Sequence, residues 1–189
     1  MKQMKFSLTG ITPLIMHADT TVDPLHEITV AVKKITGKQK KTEDDHAEIA
    51  RLEFIAGMYW NKEIGPYIPA ANLERMLRDG GALTRMGTKV KQGMQVLEDR
   101  AALLYDGPRE REAMLKDGRF MFRSSVVVKK ARTIRVRPWF HDWALDFTLL
   151  YDEKLFDPQQ VRDIVTTCGN YIGLGEWRPR HGRFDAKVL

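Results

Sequence analysis

Two adjoining segments decide the fold: Leu145-Asp146-Phe147-Thr148-Leu149-Leu150-Tyr151, and then Asp157-Pro158-Gln159-Gln160-Val161 with its continuation to Ile172. In the first, Leu145, Phe147, Leu149 and Tyr151 alternate with Asp146, Thr148 and Leu150, the period of a strand with one buried face. In the second, Asp157 is an N-cap, Pro158 suits the first helical position and Gln160 completes a capping box. Val161, Ile164, Val165, Cys168 and Ile172 then recur on one helical face. Beyond them Gly169, Gly173, Gly175 and Gly182 surround Trp177-Arg178-Pro179-Arg180, and residues 183–189 predict a closing strand.

Working towards the N-terminus, Lys5 to Ile11 alternates apolar and polar residues before Pro13, which predicts the first strand. Leu73, Met76 and Leu77 predict a short amphipathic helix over 72–80, with Asn72 as cap and Gly80-Gly81 as its end. The apolar run Ala101 to Tyr105, closed by Asp106-Gly107-Pro108, reads as the second core strand. The order is βαββαβ, and the expected fold is α+β, a ferredoxin-like (RNA-recognition-motif-like) sheet covered by both helices. Thr42, followed by Glu43, Asp44 and Asp45, starts a helix over 43–60, while 16–42 and 80–97 read as an exposed loop and a mobile basic loop. Val126-Val127-Val128 and Thr133 to Arg137 predict a β-hairpin projecting from the core. The chain is expected to be a single domain, 1–189, with insertions at about 16–65 and 119–137.

Its 189 residues, 43% hydrophobic and 30% charged, suffice for an ordinary core. No apolar run approaches the roughly 20 residues of a spanning helix, and Met1 to Phe6 lacks the start of a signal peptide, so a cytoplasmic protein without membrane association is expected. Cys168, the lone cysteine, offers no internal disulfide and falls on the apolar face of its helix. The net charge of +6 favours a polyanionic partner where the cations cluster. They do cluster. Arg119, Arg123, Lys129, Lys130, Arg132, Arg135 and Arg137 fall in one stretch without a carboxylate, seven cations that could line one ribbon.

These patterns define two candidate nucleic-acid-binding segments. In the C-terminal loop, Gly173 and Gly175 allow close backbone approach, Arg178, Arg180 and Arg183 neutralise phosphates, and Trp177 offers a face for base stacking. The plain alternative is a packed tryptophan and a glycine turn. In the hairpin, Arg123, Lys129, Lys130, Arg132, Arg135 and Arg137 would contact phosphates, and Trp139 or Phe140 would stack. Here the alternative is an edge hairpin guarded by cations. Lys33, Lys34, Lys38, Lys40 and Lys41 read as a solvated lysine loop. His17, Asp19 and His26 are the weak catalytic candidates, a histidine serving as general base on a 2′-hydroxyl. There is no HExxH, Walker loop or nucleophile elbow, and neither a cofactor nor a metal is expected.

Pro66-Tyr67-Ile68-Pro69-Ala70-Ala71-Asn72-Leu73-Glu74-Arg75-Met76-Leu77-Arg78 resembles the "IPGSSLKGALR" segment of the RAMP (repeat-associated mysterious protein) superfamily, the RNA-binding proteins of CRISPR systems. It departs at Ala70-Ala71, where the family often has Gly-Ser. Ile172-Gly173-Leu174-Gly175-Glu176-Trp177-Arg178-Pro179-Arg180-His181-Gly182-Arg183-Phe184 is similar to the family's C-terminal glycine-rich loop. The resemblance implies a relative of the backbone subunits of effector complexes, whose palm carries a thumb hairpin, here 123–137, and whose copies stack along a guide RNA. Compact stand-alone chains of this design also occur in phage genomes. It further implies a non-enzymatic protein that binds single-stranded nucleic acid, RNA before DNA, with little sequence preference, and forms a homo-oligomer or filament. The alternatives are an endoribonuclease using His17 or His26, since that region can hold a cleaving histidine or a metal-binding aspartate in relatives, and a phage assembly module whose basic hairpin meets an acidic partner.

Overall fold

A computed structural model describes residues 1–128 and 131–189. In chain order the elements are β1 (Lys2–Gly10), β2 (Leu14–Ile15), α1 (Glu27–Thr36), α2 (Glu43–Gly57), β3 (Trp60–Asn61), β4 (Gly65–Pro69), α3 (Ala70–Leu83), α4 (Gly87–Gly93), β5 (Met94–Val96), β6 (Arg100–Ala102), α5 (Arg111–Asp117), β7 (Met121–Val128), β8 (Ala131–Phe140), β9 (Ala144–Tyr151), α6 (Pro158–Thr167) and β10 (Phe184–Val188). The chain is mixed α/β with antiparallel sheets. Two compact units form. One takes Met1–Leu14, Trp60–Asp106 and Phe140–Leu189, the other Ile15–Tyr59 and Gly107–Trp139. The segments read as insertions lie largely in the second.

The first unit is built on a sheet of order β10-β1-β9-β5. Phe6 stands opposite Phe147 and Leu8 opposite Leu145, so the alternating residues of β1 and β9 share the buried face. α3 touches the edge strand β5, α6 touches the opposite edge β10, and the helices touch each other, which places both on that face. Leu73, Met76 and Leu77 of α3 and Val161, Ile164 and Val165 of α6 bury against it. The Asp157 cap forms: its carboxylate accepts from the Gln159 and Gln160 amides, and Gln160 Oε1 accepts from the Asp157 amide.

Three expectations about this unit are corrected. The central sheet takes Met94–Val96, inside the segment read as a mobile loop, whereas Arg100–Ala102 pairs with β4. Gly80-Gly81 does not end α3, which runs to Leu83, and Asn72 does not cap it, because the helix already starts at Ala70 after Pro69. A β-carbon at Gly80 would collide with Cys168 Sγ, so this glycine permits the close packing of α3 on the turn that follows α6.

In the second unit, Thr42 and Asp45 form a reciprocal capping box that starts α2. The Lys38 ammonium, followed by the Thr42 amide, holds the Asp45 carboxyl below its ordinary range. Residues 27–36, expected to be loop, form α1, whose full burial is confined to Thr29. Ile28, Val32 and Ile35 do stand at helical spacing and are half-buried, a stripe that the loop reading of this segment passed over. The hairpin exists and is longer than expected, with β7 and β8 in register from Met121 opposite Pro138 to Val128 opposite Ala131. Lys129 and Lys130 lie outside the described residues.

Buried Glu53 of α2 ties the hairpin down. One carboxylate oxygen accepts from Arg135 Nη1, and the other accepts from the Val136 amide at 2.9 Å. Glu53→Ala leaves an amide and a guanidinium without their acceptor, and we expect a loss of about 2–4 kcal/mol in urea denaturation. Glu53→Gln, which retains an acceptor for Val136, should lose less. Equal stability of the parent and Glu53→Ala would remove this tie from the account.

Candidate nucleic-acid interface

The two segments that carry the RAMP resemblance meet in the first unit. After α6 the chain makes a π-helical turn, Cys168–Ile172, and enters the loop at Gly173, φ 75°. The limbs of the loop are then closed by backbone bonds: Leu174 N–H to Gly182 O, Gly182 N–H to Pro13 O, and Gly173 N–H to Cys168 O, all 2.8–2.9 Å. The amides of Gly173 and Gly182 are therefore used within the fold. Gly173 serves approach between protein segments, since a β-carbon there would lie 2.8 Å from the His181 carbonyl oxygen. Gly175, φ 82°, turns the chain towards Trp177.

Trp177 has a left-handed backbone, φ 58°, and the residue is 39% exposed. Its ring lies 6.3 Å from that of His181, whose pKa is lowered by burial and then by the charge of Arg180. Arg178 reaches back to α3, where its Nη2 lies 3.4 Å from Asp79 Oδ2. Arg75 Nε is 3.9 Å from the same oxygen, and Arg78 Nη2 is 3.8 Å from Oδ1. Three guanidiniums thus surround one carboxylate. Arg180 and Arg183 are exposed, and the Arg183 backbone is held by Thr12 Oγ1 and by the Ile11 amide.

Two clefts flank the cluster. One, of about 360 Å³, is lined by Asp79, Tyr171, Ile172, Trp177, Arg178 and Pro179. The other, of about 380 Å³, has Glu74, Arg75, Arg78 and Lys91 among its walls. Reading the sequence for sites missed Arg75, Arg78 and Tyr171. The signal was present: Arg75 and Arg78 stand three apart on the face of α3 that the buried residues Leu73, Met76 and Leu77 leave to solvent.

The hairpin differs from a ribbon with all its cations on one side. Arg123 stands opposite Val136 and Arg132 opposite Val127, on one face, whereas Arg137 opposite Phe122 and Arg135 opposite Ser124 belong to the other. Arg123 and Arg132 are exposed. Arg135 is engaged by Glu53, Arg137 donates to the Val136 carbonyl at 3.1 Å, and Arg119 pairs with Asp117 at 2.7 Å. Trp139 packs edge-on against Phe122, with centroids 4.5 Å apart. Phe140 is fully buried, which removes it as a stacking residue.

His17 is exposed, Asp19 begins a 3₁₀ turn, and His26 caps α1 through Nδ1, which accepts from the Ile28 amide at 3.2 Å. Among the described residues no group of three or more His, Cys, Asp or Glu side chains could hold a metal ion. Cys168 is buried, burial pushes its thiol up to about 12, and it donates to the Met76 carbonyl. No helix among the described residues is long and apolar enough to cross a membrane.

No protein-family model matches the chain, and a search of curated proteins found no match.

Proposed function

We propose that this protein binds single-stranded nucleic acid, RNA before DNA, as a non-enzymatic RAMP-type subunit that self-assembles along the strand in the cytoplasm. The convergence of Arg75, Arg78 and Arg178 on Asp79, beside the exposed faces of Trp177 and Tyr171, carries the reading. Clustered guanidiniums bind phosphates without reading sequence, and exposed aromatics stack bases, each worth roughly 1–3 kcal/mol. A ferredoxin-like core is the architecture we assign to the first unit. The strand order β10-β1-β9-β5, with α3 after β1 and α6 after β9, supports it. Exposed Arg123 and Arg132 add cations on the hairpin. Copies meeting through heterologous contacts would form an open filament.

The test is fluorescence anisotropy with labelled single-stranded RNA, single-stranded DNA and duplex of several lengths at two salt concentrations, with the oligonucleotide checked on a gel. Length-dependent binding without cleavage is expected. Arg180→Ala with Arg183→Ala should weaken binding by a similar factor across sequences and lower the salt slope by about one to two units. Absence of binding at low salt, or an unchanged slope, would overturn the assignment of these residues.

A further inference from the structure

We propose that the cleft between Asp79 and Trp177 takes a guanine base, so that one nucleotide of an otherwise sequence-tolerant strand is read. The inference rests on the nucleic-acid reading above and explains a feature that phosphate binding leaves over. A carboxylate repels phosphate, yet Asp79 sits among the arginines and lines the cleft, with its side chain 33% exposed.

Its acceptor capacity is little used. Arg178 Nη2 donates to Oδ2 at 3.4 Å, near the outer limit of a hydrogen bond, and Arg78 Nη2 lies 3.8 Å from Oδ1, beyond it. An arginine donor beside two carboxylate oxygens presents the sequence donor, acceptor, acceptor. Guanine complements it, with O6 as acceptor followed by the N1–H and N2–H donors along its Watson–Crick edge. Adenine places a donor where O6 would be, cytosine offers one donor and two acceptors, and uracil places an acceptor where the guanine amino group would be. Single-stranded bases are commonly read on this edge while stacked on aromatic side chains. Tyr171 and Trp177, 63% and 39% exposed, supply such surfaces at the same cleft.

The experiment compares short labelled oligouridines carrying one central guanosine, inosine or adenosine. Guanosine should bind about tenfold more tightly than adenosine, with inosine, which lacks the N2 amino group, between them. Asp79→Asn should abolish the preference and still bind, whereas Arg183→Ala should weaken all three alike. Equal affinity of the parent for the three oligonucleotides overturns the guanine site and leaves the nucleic-acid reading standing. A preference that survives Asp79→Asn overturns the role of Asp79, and binding of none of them overturns both readings.

Discussion

Phe147→Ala is expected to lower the unfolding free energy by about 3–5 kcal/mol, the cost of removing a large aromatic side chain from a closed core. Phe147 is fully buried in the middle of β9. Its ring stacks on Phe6 across the β1–β9 ladder, with centroids 5.6 Å apart. Both residues stand on the sheet face that α3 and α6 cover, so truncation opens a cavity that neither rigid helices nor a paired sheet can collapse to fill. Urea denaturation with an unchanged m-value is the measurement. Phe147→Leu, which keeps more of the volume, should lose less. A loss below about 1.5 kcal/mol for the alanine would mean that this face is not the centre of the core.

Gly182→Ala is the second large effect. Gly182 has φ 75°, and a β-carbon there would collide with the carbonyl of Leu174, whose amide donates to Gly182 O at 2.9 Å. The left-handed backbone alone costs alanine about 1–2 kcal/mol, and displacing the opposite limb should raise the total to on the order of 3 kcal/mol. Gly118 isolates the two contributions, because it has nearly the same φ, 73°, with nothing within 4 Å of a β-carbon. Gly118→Ala should therefore show the backbone cost alone. Gly182→Ala should also weaken oligonucleotide binding, since the loop it closes presents Arg178, Arg180 and Arg183. Matching losses for the two alanine variants would show that the loop limbs yield without cost.

The legibility of the site divides along the same physical line as that of the fold. Trp177, Arg178 and Arg180 announce themselves because arginines beside an aromatic residue in a glycine-rich loop have few packing explanations. Arg75 and Arg78 looked like the ordinary solvent face of an amphipathic helix. Their meaning depends on Asp79 and on a loop about a hundred positions away, and no local pattern records that separation. The hairpin shows the converse: charge density was plain, but register sends Arg135 to Glu53 and leaves Arg123 and Arg132 on the opposite face.

Local chemistry was enough for β1, α2, β9, α6 and the hairpin. Period-two alternation, capping boxes at Thr42 and Asp157, and β-branched runs act over a few residues and need no partner to be recognised. The choice of Met94–Val96 over Arg100–Ala102 for the central sheet, the continuation of α3 through Gly80-Gly81, and the gathering of three arginines on Asp79 were decided by tertiary packing. Short strands carry too little pattern to compete by themselves. A glycine reads as a helix end until a neighbouring helix supplies the close contact that requires it, and a carboxylate collects distant guanidiniums only after the chain has brought them within about 4 Å, where Coulombic attraction near a protein surface becomes substantial.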